Sequence, residues 1–288
     1  MRLSKIVVGG AQIGNNYGAV GKNLTKKDTI KIFNFFIKKN KRIHIDTSPF
    51  YGNSQKLLNS LSKKNIYIIS KIKNIPKSEK KIENYIQNFI KNLQKEVNKK
   101  IFCIFLHDEK DLGNLKRLKE IKKVFQKLKK KNIIKYFGYS IYDFKNYKKN
   151  IFKVKPDILQ FPYNLLDDRV TNQDFKKIKS RKIKIYVRSI FLQGLLLCNS
   201  KNLPKKFNKF SSIWMEHEKE LSLYGLNRLQ AALSFVFNNK MIDKSIIGFK
   251  SMKEFKQILK CKLSKKKLNF EIKNKKIRNF IINPRVWK

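Results

Sequence analysis

The segment Arg42–Lys73, RIHIDTSPFYGNSQKLLNSLSKKNIYIISKIK, decides the fold. Arg42–Asp46 reads as a short apolar strand, Gln55–Leu61 as a short helix and Ile66–Lys71 as a second strand. Two strands separated by a helix run parallel in one sheet. The question the rest of the chain answers is how often this unit recurs.

It recurs throughout. Upstream, Ile6–Val8 is a first strand. Thr25–Lys39 is a helix that Thr25 or Asp28 can cap, with Ile30, Ile32, Phe33, Phe36 and Ile37 on one face. Downstream, Lys80–Val97 carries Ile82, Tyr85, Ile86, Phe89, Ile90 and Leu93 at helical spacing. Strands at Ile101–His107, Tyr136–Ser140, Ile158–Pro162, Lys184–Arg188 and Lys244–Gly248 alternate with helices at Asn114–Lys130, after Tyr142, at Asn172–Ser180, at Ser211–Leu223 with Leu226–Asn238, and at Met252–Lys260. Eight strand–helix units with no break in composition predict an α/β fold, a (β/α)8 TIM barrel of one domain; a doubly wound open sheet is the structural competitor. The barrel spans residues 1–260. Residues 261–288 form a basic C-terminal tail with scattered aromatics, expected to pack across the outside or end of the barrel.

Composition narrows the class. Of 288 residues, 41% are hydrophobic and 12% aromatic, which supports a core. Lys and Arg number 68 against 20 Asp and Glu, a net charge of +48. The lysines are spread over nearly every helix, as at Lys122, Lys123, Lys127, Lys129, Lys130 and Lys131, which reads as solvated faces and A/T-rich coding rather than a specific nucleic-acid surface. Cys103, Cys198 and Cys261 are odd in number, far apart and outside any CxxC. That predicts reduced thiols in a cytoplasm, no disulfide frame and no metal site. The apolar run before the N-terminal glycines is too short for a signal-peptide core, and no stretch approaches a membrane span.

Barrel active sites sit at the C-terminal ends of the strands. Strand two ends in Asp46, with Tyr51 in the loop beyond; strand three ends in Lys71, and strand four in His107. Taken singly, each has a plainer reading as a cap, a packing ring or a structural histidine. Together they form a proton-transfer set. A phenol near pKa 10 is a poor donor near neutrality, and an adjacent ammonium lowers that value. Asp46 would keep the Lys71 ammonium charged, and His107 would hydrogen-bond a carbonyl oxygen. Ser140, Gln160 with Asn164, Arg188–Ser189 and Gly248 end the later strands. His44 shares parity with Asp46 and reads as a core histidine; His217 reads as surface or structural.

These residues resemble the aldo-keto reductases over roughly Lys5 to Leu259. RIHIDTSPFYGNS (Arg42–Ser54) is similar to the family's Asp–Tyr signature; ISKIK supplies its Lys as Lys71 and FLHDE its His as His107. VGGAQIG (Val8–Gly14), GYSIY (Gly138–Tyr142), QFPYN (Gln160–Asn164) and IIGFKSMKEF (Ile246–Phe255) resemble its cofactor segments. The resemblance implies an NAD(P)H-dependent oxidoreductase that reduces an aldehyde or ketone, sugar-derived ones included, with Tyr51 as proton donor. The alternative is a cofactor-binding regulatory or sensing barrel with little turnover. As cofactor contacts it implies Gly10, Gln12, Ser140, Gln160, Arg188, Ser189, Phe191, Gly194, Gly248, Lys250 and Ser251. Lys250 and Ser251 favour NADPH, while Glu254 stands where the family often carries an Arg for the 2′-phosphate, so NADH stays open. The sequence departs from the family at Ile141, where Asn is common, and at Arg188, where an aromatic usually stacks under the nicotinamide; a guanidinium there can stack, or reach a phosphate or an acidic substrate. The implied partner is a small carbonyl compound, and a monomer or weak dimer is expected.

Overall fold

The computed structural model describes residues 3–13, 24–39, 41–61, 65–167, 169–266, 268 and 270–287; Gly14, which ends the Val8–Gly14 motif, and Lys288 lie outside them. Eight parallel strands follow in chain order: β1 (Ile6–Gly9), β2 (Ile43–Asp46), β3 (Ile66–Ile72), β4 (Lys100–Leu106), β5 (Tyr136–Ser140), β6 (Ile158–Pro162), β7 (Lys184–Arg188) and β8 (Lys244–Ile247). Each pairs with the next, and β8 pairs back onto β1 through Ile6–Ser245, Val7–Ile246 and Val8–Ile247, so the sheet is a closed barrel and not an open one.

The helices between them are α1 (Lys26–Lys38), α2 (Ser54–Asn59), α3 (Glu79–Val97), α4 (Lys110–Gly113), α5 (Leu115–Lys130), α6 (Phe144–Lys153), α7 (Asn172–Ser180), α8 (Ser211–Leu223), α9 (Arg228–Phe237) and α10 (Met252–Lys260). Local chemistry sets their ends. The Thr25 side chain accepts from Asp28 N to cap α1, Thr171 and Asp174 form a capping box on α7, and Asn98 turns left-handed (φ 47°) to stop α3. The lysines of α5 fall on its outer face while Leu118, Ile121, Val124, Phe125 and Leu128 are buried, as a solvated-face reading of that run requires.

Strand parity sorts the core into two layers. Val8, Ile45, Ile68, Ile104, Phe137, Leu159, Ile185 and Ile247 join the large cluster beneath the helices. Val7, Ile69, Cys103, Phe105, Ile158, Tyr186 and Ile246 form a second, separate cluster inside the barrel. Gly138 makes room for it: a Cβ there would lie 2.4 Å from the Phe105 ring and 2.5 Å from the Ile158 carbonyl oxygen. Two residues further along the same parity come Lys71, His107, Ser140 (after Gly138), Gln160 and Arg188. The polar strand ends are therefore the topmost interior layer.

The tail is more ordered than a basic extension suggests. It forms a helix the sequence reading did not foresee, α11 (Lys275–Ile282), and buries Phe270, Ile272, Ile281, Ile282 and Trp287. Trp287 meets Phe207 edge-on with ring centroids 4.9 Å apart, and Phe280 lies 5.7 Å from Phe210, so the tail packs on the connection that follows β7. Among the described residues no helix is long and apolar enough to cross a membrane.

Candidate active site

Strands β2–β4 bring Asp46, Tyr51, Lys71 and His107 together. Asp46 and Lys71, at the ends of neighbouring strands, form a buried ion pair in which the Lys71 ammonium donates to Asp46 Oδ1. The ammonium also donates to the Thr47 carbonyl at 3.3 Å, and Gln160 Nε2 donates to Asp46 Oδ2 at 2.8 Å. Burial works against the charge on Lys71, but the Asp46 carboxylate and Tyr51 outweigh it and leave its pKa raised. Lys71 Nζ lies 5.0 Å from the centroid of the Tyr51 ring and shares a hydrogen bond with that residue.

The loop carrying Tyr51 is tied down locally. Tyr51 N donates to the Ser48 carbonyl and Ser54 N to the Tyr51 carbonyl, both at 3.0 Å. Ser54 Oγ donates to the Gly10 carbonyl at 3.0 Å, which joins this loop to the end of β1. Gly10 cannot carry a side chain here, because a Cβ would sit 2.8 Å from the Asp46 carbonyl oxygen. His107 lies one residue beyond β4. Burial, then the charges of Lys71, Arg188 and Lys73, push its pKa down to about 3, so the imidazole is neutral and can donate a hydrogen bond.

All four residues line one cavity of about 1020 Å³ at the barrel mouth, with Gly10, Gln12, Arg188, Ser189, Phe191, Gly194, Gly248 and Lys250 from the expected cofactor set. Three others of that set do not line it. Ser140 Oγ donates to Gln160 Oε1 at 2.7 Å, and both side chains are buried behind Asp46. Ser251 accepts from Glu254 N as the cap of α10. Glu254 itself lines the cavity, and its carboxylate accepts from Lys250 N at 2.7 Å.

The wall after β7 is conformationally strained. Ser189 (φ 57°), Leu192 (φ 47°), Gln193 (φ 56°) and Gly194 (φ 92°) all take positive φ within six residues. For the three non-glycines such backbone costs about 1 kcal/mol or more each, and it persists because neighbours hold it. Asn164 Nδ2 donates to the Ser189 carbonyl at 3.0 Å, and Leu192 N to the same oxygen at 2.9 Å. Asn164 thus braces this wall instead of meeting the cavity.

Sequence reasoning missed Tyr142 and Arg285, both of which line the cavity. Tyr142 carried a signal as the last residue of GYSIY; Arg285 carried none, since only the packing of the tail brings it to the mouth. The other histidines lie elsewhere. His44 packs on Phe102 (centroids 4.3 Å) and is held neutral by burial and by Lys244, Arg42 and Lys135, with a pKa lowered to about 3. His217 is buried and stacks on Phe270 of the tail at 4.2 Å.

Asp46→Asn leaves the Lys71 ammonium buried without its counter-charge. It is expected to cost about 3–5 kcal/mol of folding stability, read from the urea midpoint. A midpoint equal to the parent's would mean that the pair carries no charge in the folded state.

The sequence matches the aldo/keto reductase family over residues 5–273. No match was found among the curated proteins. Among solved structures, the holo form of the aldo-keto reductase AKR11C1 from Bacillus halodurans superposes with a TM-score of 0.67 at 17% identity, covering 96% of this chain and 90% of that one. A structure from Pseudomonas aeruginosa described as an aldo-keto reductase gives 0.62 at 14% identity, covering 88% and 87%. At such identities these two speak for the fold, while the family match spans nearly the whole barrel and part of the tail: the chain belongs to the aldo/keto reductase family.

Proposed function

We propose that the protein reduces an aldehyde or ketone to an alcohol, using a nicotinamide dinucleotide and Tyr51 as proton donor. The observation that carries the reading is the buried Lys71–Asp46 pair beside Tyr51, opening with His107 onto a cavity of about 1020 Å³. That volume stands at the upper end for small-molecule sites and suits a large cofactor with a small substrate. The residues fit such a cofactor. Gln12 Oε1 is buried and accepts no hydrogen bond among the described residues, a waiting acceptor for an amide or hydroxyl. Gln12, Ser189, Gly194, Gly248 and Lys250 would hold it. Lys250 and Glu254 bring both signs of charge to the same wall, so NADPH and NADH both belong in the test.

When bound, the reduced nicotinamide supplies the hydride. The chain's own residues handle the oxygen. Neutral His107 donates a hydrogen bond to the carbonyl oxygen and orients it. The Tyr51 hydroxyl gives that oxygen a proton, and the Lys71 ammonium stabilises the phenolate left behind. Asp46 keeps the ammonium charged, and Gln160 fixes the second carboxylate oxygen so that the pair does not turn.

The test is a panel of neutral and charged aldehydes and ketones with NADPH and with NADH, following loss of the reduced cofactor's absorbance. Turnover of roughly 1 s⁻¹ or faster on at least one carbonyl is expected. Tight cofactor binding with no carbonyl reduced would replace this reading with a cofactor-sensing barrel.

A further inference from the structure

We infer that the substrate carries an anionic group, a carboxylate or a phosphate, and that Arg285 of the C-terminal tail, with Arg188, receives it; this rests on the carbonyl reduction proposed above. Arg188 ends β7 but does not stay at that edge. Its side chain crosses β6 to donate from Nη2 to the Ile141 carbonyl at the end of β5, at 3.2 Å. There its guanidinium carbon lies 4.0 Å from the centroid of the Tyr142 ring. Arg285 arrives from the tail, and its guanidinium carbon is also 4.0 Å from that centroid. The two carbons are therefore at most twice that far apart, and both side chains line the cavity.

Two planar cations held on one aromatic ring at the cavity wall offer a planar or tetrahedral oxyanion two sets of charged N–H donors. Among the described residues, each carboxylate that lines the cavity has its own partner away from this pair. Among the described lining residues, Asp46 is matched by Lys71, Glu218 by Arg228 at 2.9 Å, and Glu254 lies on the β8 side with Lys250. Glu109 does touch Arg285, at 3.3 Å, but it stands outside the cavity lining, where the amides of Tyr142 and Asp143 donate to its other oxygen at 2.6 and 2.8 Å. An incoming anion would meet both guanidiniums at the cavity wall. Arg188 and Arg285 line the same cavity as Tyr51 and His107, and the Arg188 charge is among those that lower the His107 pKa.

The experiment compares matched substrates that share a carbonyl and differ in charge. 4-Carboxybenzaldehyde against its methyl ester forms the carboxylate arm, and glyceraldehyde 3-phosphate against glyceraldehyde the phosphate arm. In the parent protein the charged member of at least one pair is expected to have a kcat/KM about 30-fold higher, the worth of one good charged hydrogen-bond pair, and the preferred arm identifies the anion. In Arg285→Gln that preference collapses, chiefly through KM, while the neutral member and the KM for the nicotinamide cofactor stay at parent values. Arg285→Lys restores part of it, and added salt erodes it in the parent. Reduction of neutral and charged members at equal kcat/KM would overturn the inference and leave carbonyl reduction intact. So would an Arg285→Gln protein that keeps the charged preference, or one whose defect lies in cofactor KM. If no carbonyl is reduced at all, the reductase reading falls and takes this inference with it.

Discussion

Tyr51→Phe is expected to lower the rate of carbonyl reduction about a thousandfold while leaving the dissociation constant of the nicotinamide cofactor unchanged. The substitution removes one hydroxyl and nothing else. The ring stays 5.0 Å from the Lys71 ammonium, the backbone ties of residue 51 to Ser48 and Ser54 remain, and the half-buried position tolerates the lost polarity. What disappears is the proton that the oxygen must receive as hydride adds to carbon. Single-turnover reduction of a good substrate, paired with a fluorescence titration of the reduced cofactor, reads the two quantities separately. Parent-like turnover by the Phe protein would assign the proton to another donor and remove the role proposed for the Lys71–Asp46 pair.

The second large effect concerns acid. His44, His107 and His217 have pKa values lowered from 6.5 to about 3, 3 and 4, in each case by burial first and by nearby cations second. The folded state keeps all three neutral where the unfolded chain would protonate them. Their contribution to stability is therefore complete above the unfolded value of about 6.5 and is lost as pH falls below it. At pH 5 each histidine should have given up about 2 kcal/mol, on the order of 6 kcal/mol together, a large share of the stability of an ordinary domain. Urea midpoints measured from pH 7.5 to pH 5 should fall steeply, and His44→Leu, which lies away from the cavity, should flatten the slope by about a third. A flat profile in the parent protein would show that the imidazoles are protonated, or freely wetted, in the folded state.

The parts of the site that could be read from sequence share one physical property. Asp46, Lys71 and His107 each close an apolar strand with a group that is costly to bury, and only a shared partner or a reaction explains that placement. The barrel was legible for a related reason, since each strand is a short apolar run bounded by an amphipathic helix. The illegible parts depend on side-chain partners or on long-range packing. Nothing in GYSIY or QFPYN announces that Ser140 bonds to Gln160, and Gln160 to Asp46, instead of lining the cavity. The four left-handed positions Ser189, Leu192, Gln193 and Gly194 include only one glycine to advertise them. Arg285 reaches the mouth because Phe280 and Trp287 dock on Phe207 and Phe210, a contact between aromatics too scattered to form a pattern.

The seam between β1 and β8 joins Val8 to Ile247, almost the full length of the barrel apart in sequence. During synthesis β1 leaves the ribosome long before β8, its final neighbour. Until then a half-made sheet of isoleucine-rich strands shows two bare flanks to its surroundings, each a template for sticking to another nascent copy. Once the seam zips, neither flank exists. The vulnerable period of this protein's life is its birth, and the abundance of lysine on its outer helices adds mutual repulsion while that period lasts.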